Sequence, residues 1–279
     1  MCNTGKPDSF ITERIAKNDK PMNNPQPGDW LNKHHESGQT LKQYKSINPV
    51  SPDKIRNKIY LQPIGEFSVE QEKIIQYTAD YIQLFFGLST IISPSLSDTI
   101  IPENSKRITV DSSIQLLAPY ILGNILRPNI PQNAIVVMAI TEKDLYPNPS
   151  WNYVFGLASL KNRIGVSSIY RYSQTEIDSS NYSICLERII KTASHEISHM
   201  FSMRHCIHAV CVMNGSNSLT ESDSRPNRLC SECLSKLHWN LKFDNLKRLN
   251  SLKKYFITHH LNRDYELTIA DLNLLPKTN

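Results

Sequence analysis

The residues best suited to chemistry in this 279-residue chain are two histidines four positions apart. His195 and His199 enclose Glu196 in the sequence HEISH. Side chains four positions apart lie one turn apart on the same face of an α-helix, so the two imidazoles can bind one metal ion. Glu196, directly after the first histidine, then points to the flank of that ion. The spacing predicts a metal site on a helix.

An amphipathic helix over residues 186–201 is needed to hold this pair. At about 100° per residue, its apolar side chains fall in a band of about 120° around Ile197, and His195 and His199 fall on the opposite side. The apolar side chains in this band are Leu186, Ile189, Ile190, Ala193, Ile197, Met200 and Phe201. The pattern predicts one buried face and a histidine pair facing a cleft. The alternative, two surface histidines on an ordinary helix, leaves Glu196 and the downstream residues as coincidence.

His205 is the candidate for a third ligand. Catalytic zinc normally has three protein ligands and one open position for water or substrate. His205 lies six residues after His199, which on a continuing helix is about 600° and points away from the pair. The helix must therefore end, and the chain must turn back through a residue such as a left-handed glycine.

Four cysteines follow the histidines at spacings that suggest a second metal site. Cys206 and Cys211 have the spacing C-x4-C, and after eighteen intervening residues Cys230 and Cys233 have the spacing C-x2-C. This arrangement is compatible with one tetrahedral zinc bound by four thiolates. Two disulfides are the alternative. Because the N-terminus shows no hydrophobic secretory segment, we expect a reducing compartment in which structural disulfides are rare, which favours zinc.

Together these residues resemble the archaemetzincins, a branch of the metzincin zinc peptidases. That family carries HExxHxxGxxHC, then C-x-M, then C-x-x-C near a Lys-Leu pair. The matching positions here are His195, Glu196, His199, His205, Cys206, Cys211, Met213, Cys230, Cys233, Lys236 and Leu237. Weaker similarity extends to residues 144–147 and 150–156, and to residues 29–31 with His35 and Glu36. The resemblance covers residues 25–240.

The resemblance implies a hydrolase, a zinc metalloprotease that binds two zinc ions per chain. The catalytic ion is expected on His195, His199 and His205, and the structural ion on the four cysteines. Glu196 would be the general base that takes the proton from the attacking water and passes it to the leaving amine. Met213 would form the floor under the catalytic zinc in a Met-turn. Proteolysis is the expected activity, with aminopeptidase-like action as one form of it.

Two serines depart from the family pattern. Ser202 stands at the glycine position after the helix, and Ser198 stands inside HExxH where glycine is common. A left-handed non-glycine residue costs roughly 1 to 2 kcal/mol, whereas closing a structural zinc site contributes on the order of 10 kcal/mol. Ser202 is therefore expected to weaken the site without abolishing it. The alternative function is a catalytically weakened, zinc-stabilised protein-interaction module.

The predicted fold class is α+β, with a mixed, mostly parallel twisted sheet, packed helices, and a metzincin-like zinc peptidase domain with an active-site helix and a Met-turn. An N-terminal segment over residues 1–57, with six of the sixteen prolines, is expected to be extended or partly disordered. The catalytic domain is expected over residues 58–260, and a tail over 261–279. Predicted strands cover residues 58–63, 90–93, 108–110, 134–140, 154–158 and 164–172, and predicted helices cover residues 69–86, 114–126 and 234–260. Strand 154–158 is the candidate edge along which an extended peptide binds, and an interior strand is the alternative.

The expected partner is a peptide or protein substrate. The net charge of +5 is too small and dispersed to indicate nucleic-acid binding; a nucleic-acid-binding cysteine module is a third reading, supported only by the cysteine spacing and the basic C-terminal region. No apolar run reaches the 18 residues of a membrane span. We expect a monomer that is not secreted and is located in the cytoplasm, with the nucleus left open as a further location.

Overall fold

A computed structural model describes residues 8–173 and 175–276. The helices are α1 (Asp8–Ile15), α2 (Trp30–Lys33), α3 (Leu41–Ser46), α4 (Val69–Phe86), α5 (Ala118–Tyr120), α6 (Tyr182–Met200), α7 (Leu219–Asp223), α8 (Ser231–Leu241), α9 (Asn245–Thr258) and α10 (Asn262–Leu274). The strands are β1 (Lys58–Ile64), β2 (Thr90–Ile92), β3 (Lys106–Ile108), β4 (Ile114–Leu117), β5 (Ala134–Thr141), β6 (Asp144–Tyr146), β7 (Gly156–Ser159) and β8 (Ile164–Ser168). No helix of this part of the chain has both the length and the apolarity that crossing a membrane requires.

The chain divides into two compact units. The helical unit contains the described residues up to 49 and those from 203 onwards, and the sheet unit contains the described residues from 50 to 202. The division falls between HEISH and His205 in the sequence. The predicted domain bounds at residues 57/58 and 260/261 stay a proposal.

The sheet unit is built on a five-stranded, mostly parallel sheet with the order β2-β1-β5-β8-β7. β7 alone among these five strands runs antiparallel to its neighbour, and it lies at the edge of the sheet. Every residue of the central strand β5 is buried, because α4 and α6 pack on the sheet and an apolar cluster with Ile121 and Val166 covers β5 as well. A smaller sheet has the order β3-β4-β6. The predicted fold class is confirmed. The candidate edge strand at residues 154–158 corresponds to β7, which lies at the sheet edge and begins two residues later, at Gly156.

Helix α6 holds the HEISH sequence. The predicted apolar residues of its buried face, from Leu186 to Met200, are almost fully buried, and Phe201 after the helix is buried with them. His195, Glu196 and His199 remain half-buried. The helix packs against β7 and β8. The periodicity therefore predicted the orientation of this helix correctly, and the helix begins four residues earlier than expected.

The helical unit joins the two ends of the chain around one arginine. Arg228 donates to Asp19 at 2.8 Å and to Asp271 at 2.7 Å, and its side chain is only 9% exposed. α1 packs against α8 and α10, and α3 packs against α8. Removing either carboxylate would leave this buried guanidinium without one of its partners, which is costly. The arginine therefore links these segments firmly.

Several elements differ from the sequence-based expectations. Residues 114–126, predicted as one helix, begin with strand β4, because Leu116 pairs with Leu145 of β6, and Pro119 then begins the helical part. The strand predicted at residues 108–110 is β3, two residues earlier. The strand predicted to reach Tyr172 ends at Ser168, whose hydroxyl donates to the Lys143 carbonyl at 2.7 Å.

The N-terminal and C-terminal segments are more helical than the composition indicated. Within residues 8–57 the structure contains α1, α2 and α3 in place of a wholly extended chain. The helix predicted over residues 234–260 is two helices, because Lys242 is left-handed with φ of +57° and Asp244 caps α9. The predicted tail contains α10. Residues 1–7 and 277–279 of these segments lie outside the described residues.

Candidate metal centres

The two histidines of HEISH face each other on α6. The His195 Nε2 and His199 Nε2 atoms are 3.0 Å apart, and the ring centroids are 4.6 Å apart with planes at 82°. Two ligands of a tetrahedral zinc with Zn–N distances of about 2.0–2.1 Å are separated by roughly 3.3 Å. The two nitrogen atoms therefore converge at a spacing that fits one zinc ion.

Glu196 lies beside this pair and against the edge strand. A Cβ atom built on Gly156 of β7 would lie 2.9 Å from the Glu196 Cγ and 3.1 Å from its Oε1. Burial raises the pKa of the Glu196 carboxyl to about 8. The side chain is thus confined between its own helix and the first residue of β7.

The predicted left-handed turn after the helix is present at Ser202. Its φ is +69°, and its N–H donates to the His199 carbonyl at 2.7 Å. Its hydroxyl accepts a hydrogen bond from the Val50 N–H at 3.1 Å. The strain of a left-handed serine, roughly 1 to 2 kcal/mol, is partly offset by this bond, which contributes about 1 kcal/mol. Ser198 is fully buried, and its hydroxyl has no hydrogen-bond partner among the residues that the structure describes.

His205 belongs to the helical unit, on a segment without regular secondary structure. Its Nδ1 lies 2.7 Å from Oε1 of Glu36, and both side chains are half-buried. A carboxylate oxygen accepts hydrogen bonds, so Nδ1 is the donor of this pair, and in the neutral imidazole that tautomer leaves the lone pair on Nε2. A lone pair on Nε2 is the state that a metal ligand needs.

The four cysteines form one buried cluster inside the helical unit. One ligand atom of each lies within 4.8 Å of the others, and all four are free thiols. The Cys206 and Cys230 sulfur atoms are 3.5 Å apart, far longer than a disulfide and close to the roughly 3.8 Å edge of a tetrahedron with Zn–S distances of about 2.3 Å. Hydrogen bonds from Cys211, Cys230 and Cys233 lower the pKa of Cys206, whereas burial raises the pKa of Cys211. Four buried sulfur atoms at this spacing fit zinc.

The loop that carries the first two cysteines is fixed by Asn214. Its Oδ1 accepts from the Cys211 N–H at 2.7 Å, and its Nδ2 donates to the carbonyls of Cys206 at 2.8 Å and Ala209 at 3.0 Å. Met213, just before it, is fully buried, and its carbonyl accepts from the Cys206 N–H. The Cys230 N–H also points to the Cys211 sulfur at 3.3 Å. Such outer contacts orient metal ligands.

Sequence reasoning missed Asn214 and Gly156 as parts of these sites. Asn214 follows Met213 directly and lies inside the cysteine loop, so an amide that can bridge that loop was readable as a candidate. Gly156 ends the stretch 150–156 that already resembled the family. Glu36 was also in such a stretch, although nothing in the sequence connected it with His205.

A mostly parallel sheet with an HExxH helix packed on it, in a chain that also holds a four-cysteine cluster, defines a zinc metallopeptidase. The family model for Peptidase family M54 matches residues 129–239. Archaemetzincin-2 of Pongo abelii is 33% identical over 267 residues, covering 82% of this chain and 72% of the relative. The human archaemetzincin-2 is 33% identical over 262 residues, with the same coverage.

Two solved structures are also similar. The archaemetzincin of Archaeoglobus fulgidus, complexed with malonate, has a TM-score of 0.51 and 30% identity, covering 64% of this chain and 99% of that one. The archaemetzincin of Methanopyrus kandleri has a TM-score of 0.55 and 26% identity, covering 69% and 99%. The chain belongs to the archaemetzincins, peptidase family M54, as its motifs predicted.

Proposed function

We propose that this chain hydrolyses peptide bonds with a zinc ion bound by His195, His199 and His205 and with Glu196 as its general base. The observation that carries the proposal is the convergence of the His195 and His199 Nε2 atoms at 3.0 Å, with Glu196 between them in the sequence. His205 enters as the third ligand through the family motif and through the contact of its Nδ1 with Glu36, which leaves Nε2 as the ring nitrogen for the metal.

The chain's own residues supply the proton transfers. A zinc ion bound there supplies Lewis acidity toward the scissile carbonyl and the attacking water. Glu196 accepts a proton from that water on a carboxylate oxygen and donates it to the leaving amine. Its confinement against Gly156 restricts the positions that this oxygen can take. Met213 is proposed to form the floor under the zinc, a packing role that agrees with its full burial.

The substrate is proposed to bind as an extended peptide along β7. Within the described part of the sheet unit, β7 pairs only with β8 and leaves its other edge open. An open edge can add a peptide strand through main-chain hydrogen bonds. Aminopeptidase-like action is one form of this activity, and comparing cleavage of peptides with free and acetylated N-termini tests it.

Cys206, Cys211, Cys230 and Cys233 are proposed to bind a second, structural zinc ion. The alternative function, a weakened interaction module, depends on the strain at Ser202. The hydrogen bond from Val50 to that serine supports retention of the site instead. A monomer located in the cytoplasm, with the nucleus left open, stays a prediction, as does the lack of nucleic-acid binding.

The zinc-to-protein ratio of the purified chain, measured by elemental analysis, tests the proposal. We expect two zinc ions per chain, and one in the double variant His195→Ala, His199→Ala. A ratio of one in the unchanged chain, with no further loss in the double variant, would refute the catalytic site. A ratio of zero would refute both sites.

A further inference from the structure

We propose that Glu36 is a positioning residue that holds the His205 imidazole in the orientation and tautomer required of a zinc ligand. The inference rests on the proposed function, since it assumes that His205 binds the catalytic zinc. It assigns the segment around Glu36, which precedes the sheet unit in the sequence, a part in building the metal site.

The contact itself has the geometry of an outer-shell hydrogen bond. His205 Nδ1 donates to Glu36 Oε1 at 2.7 Å. Metal-binding histidines commonly donate their second ring N–H to a carboxylate, which fixes the ring and raises its basicity. His205 lies outside any helix or strand, so no helical or strand register sets the direction of its ring. The carboxylate therefore supplies an orientation that regular secondary structure does not.

Trp30 holds the same carboxylate oxygen from another side. The Trp30 indole Nε1 donates to Glu36 Oε1 at 3.0 Å. The indole ring also meets the His205 ring edge to face, with centroids 5.1 Å apart and planes at 79°. One aromatic side chain thus contacts both the histidine and its acceptor, and both are restricted together.

Trp30 is anchored in turn to the segment that follows Met213 and includes α7. Its backbone N–H donates to Glu221 at 3.0 Å, and Glu221 also accepts from the Asn217 N–H at 2.7 Å. A Cβ atom on Gly215 would lie 2.4 Å from the Trp30 ring, so only glycine permits this close approach. The relay Glu221, Trp30, Glu36, His205 lies wholly within the helical unit.

A purely structural role is the competing explanation, because the relay also fastens the N-terminal segment to the segment that follows Met213. The two explanations differ in what Glu36→Ala changes. A positioning role weakens zinc binding at the histidines and spares the thiolate zinc. A fastening role lowers the stability of the helical unit without a selective effect on the histidine site.

The experiment measures zinc affinity by chelator competition in the full chain, together with the visible absorption of cobalt substituted at the histidine site. We expect Glu36→Ala to lower the affinity of one zinc about 10- to 100-fold, to change the cobalt spectrum, and to leave the second zinc bound. Glu36→Gln keeps a hydrogen-bond acceptor and should lose less. His35→Ala, at an exposed neighbouring position, is the matched control and should bind both ions normally.

A second, milder variant tests the same hydrogen bonds in case Glu36→Ala misfolds. Trp30→Phe keeps an aromatic ring but lacks the indole N–H, so we expect a loss in the same direction and smaller than that of Glu36→Ala. The inference is overturned if Glu36→Ala binds both zinc ions as the unchanged chain does, or if both Glu36→Ala and Trp30→Phe lose the two ions together. If the unchanged chain itself holds no histidine-bound zinc, the proposed function fails, a result distinguishable from either of these.

Discussion

Gly156 of β7 lies directly against Glu196 of α6. A Cβ atom on this glycine would come within 2.9 Å of the Glu196 Cγ and 3.1 Å of the Thr192 Cγ2. The edge strand proposed to hold the substrate and the proposed general base are therefore in contact. The glycine has an ordinary negative or extended φ, since it is absent from the positive-φ glycines of the described residues. Its importance lies in the missing side chain.

Gly156→Ala should lower kcat while zinc content stays unchanged. The added methyl group must displace the Glu196 side chain, and misplacing a catalytic group by an ångström can cost about 100-fold in rate. Steady-state kinetics and elemental analysis on one preparation measure both quantities. Gly123→Ala is the matched control, because a Cβ atom there meets nothing within 4 Å. Equal kcat values for the two variants would contradict the proposed constraint.

Glu196→Gln should abolish most peptide hydrolysis and retain both zinc ions. The amide has nearly the same shape as the carboxyl but cannot accept the proton from water, and general-base catalysis contributes about 10²- to 10⁴-fold. Glu187→Gln, on the same helix and 3.6 Å from Lys191, is the control for removing a glutamate charge. A Glu196→Gln variant with unchanged kcat would exclude this residue as the base.

The parts of the fold that the sequence predicted are those with strong local signals. Helix α4 was predicted over its full length from apolar residues at three- and four-residue spacing, and in the structure Ser68 and Gln71 form a capping box at its start and Gly87 ends it in a left-handed conformation. The buried run of β5 was equally clear. β4 has only four residues and is followed directly by a helix, and its pairing with β6 is a tertiary contact that periodicity cannot show.

The site residues were predictable to the same extent. His195, His199 and the four cysteines lie close together in the sequence, where spacing alone indicates a shared ligand. Glu36 and His205 are 169 positions apart, and a contact between residues so far apart produces no spacing pattern in the sequence. For Ser202, the motif predicted the left-handed backbone conformation. It did not predict the hydrogen bond from Val50 that compensates for the strain.

Ser202→Gly should leave the stability of the chain nearly unchanged. Glycine relieves roughly 1 to 2 kcal/mol of left-handed strain, but it loses the hydrogen bond from Val50, about 1 kcal/mol, and adds about 0.4–1 kcal/mol of unfolded-state entropy. Ser202→Ala keeps the strain and loses the bond, so it should be destabilised by about 1 kcal/mol. Urea unfolding measures both. A gain above about 2 kcal/mol in Ser202→Gly would show that the serine is seriously strained.

Cys211→Ser should remove one zinc ion and unfold the helical unit. A structural zinc site contributes on the order of 10 kcal/mol, as much as the roughly 5–15 kcal/mol of a typical domain. Circular dichroism should show a loss of helix, and elemental analysis a loss of one zinc. Cys185→Ser is the control, because Cys185 is a buried free thiol outside the cluster. Full zinc content in Cys211→Ser would refute the thiolate site.

Asn214→Ala should speed zinc release from the cysteines. The variant loses three hydrogen bonds to the backbone of the loop at residues 206–211, at about 1 kcal/mol each, so stability should fall by about 2–4 kcal/mol. Asn214→Asp keeps the acceptor for the Cys211 N–H but loses both donors, so its loss should be intermediate. Asn250→Ala removes one amide bond to the Leu246 carbonyl on α9 and serves as the control. Zinc transfer to a chromogenic chelator gives the release rate, and equal rates for Asn214→Ala and Asn250→Ala would show that the loop holds its ligands without the amide.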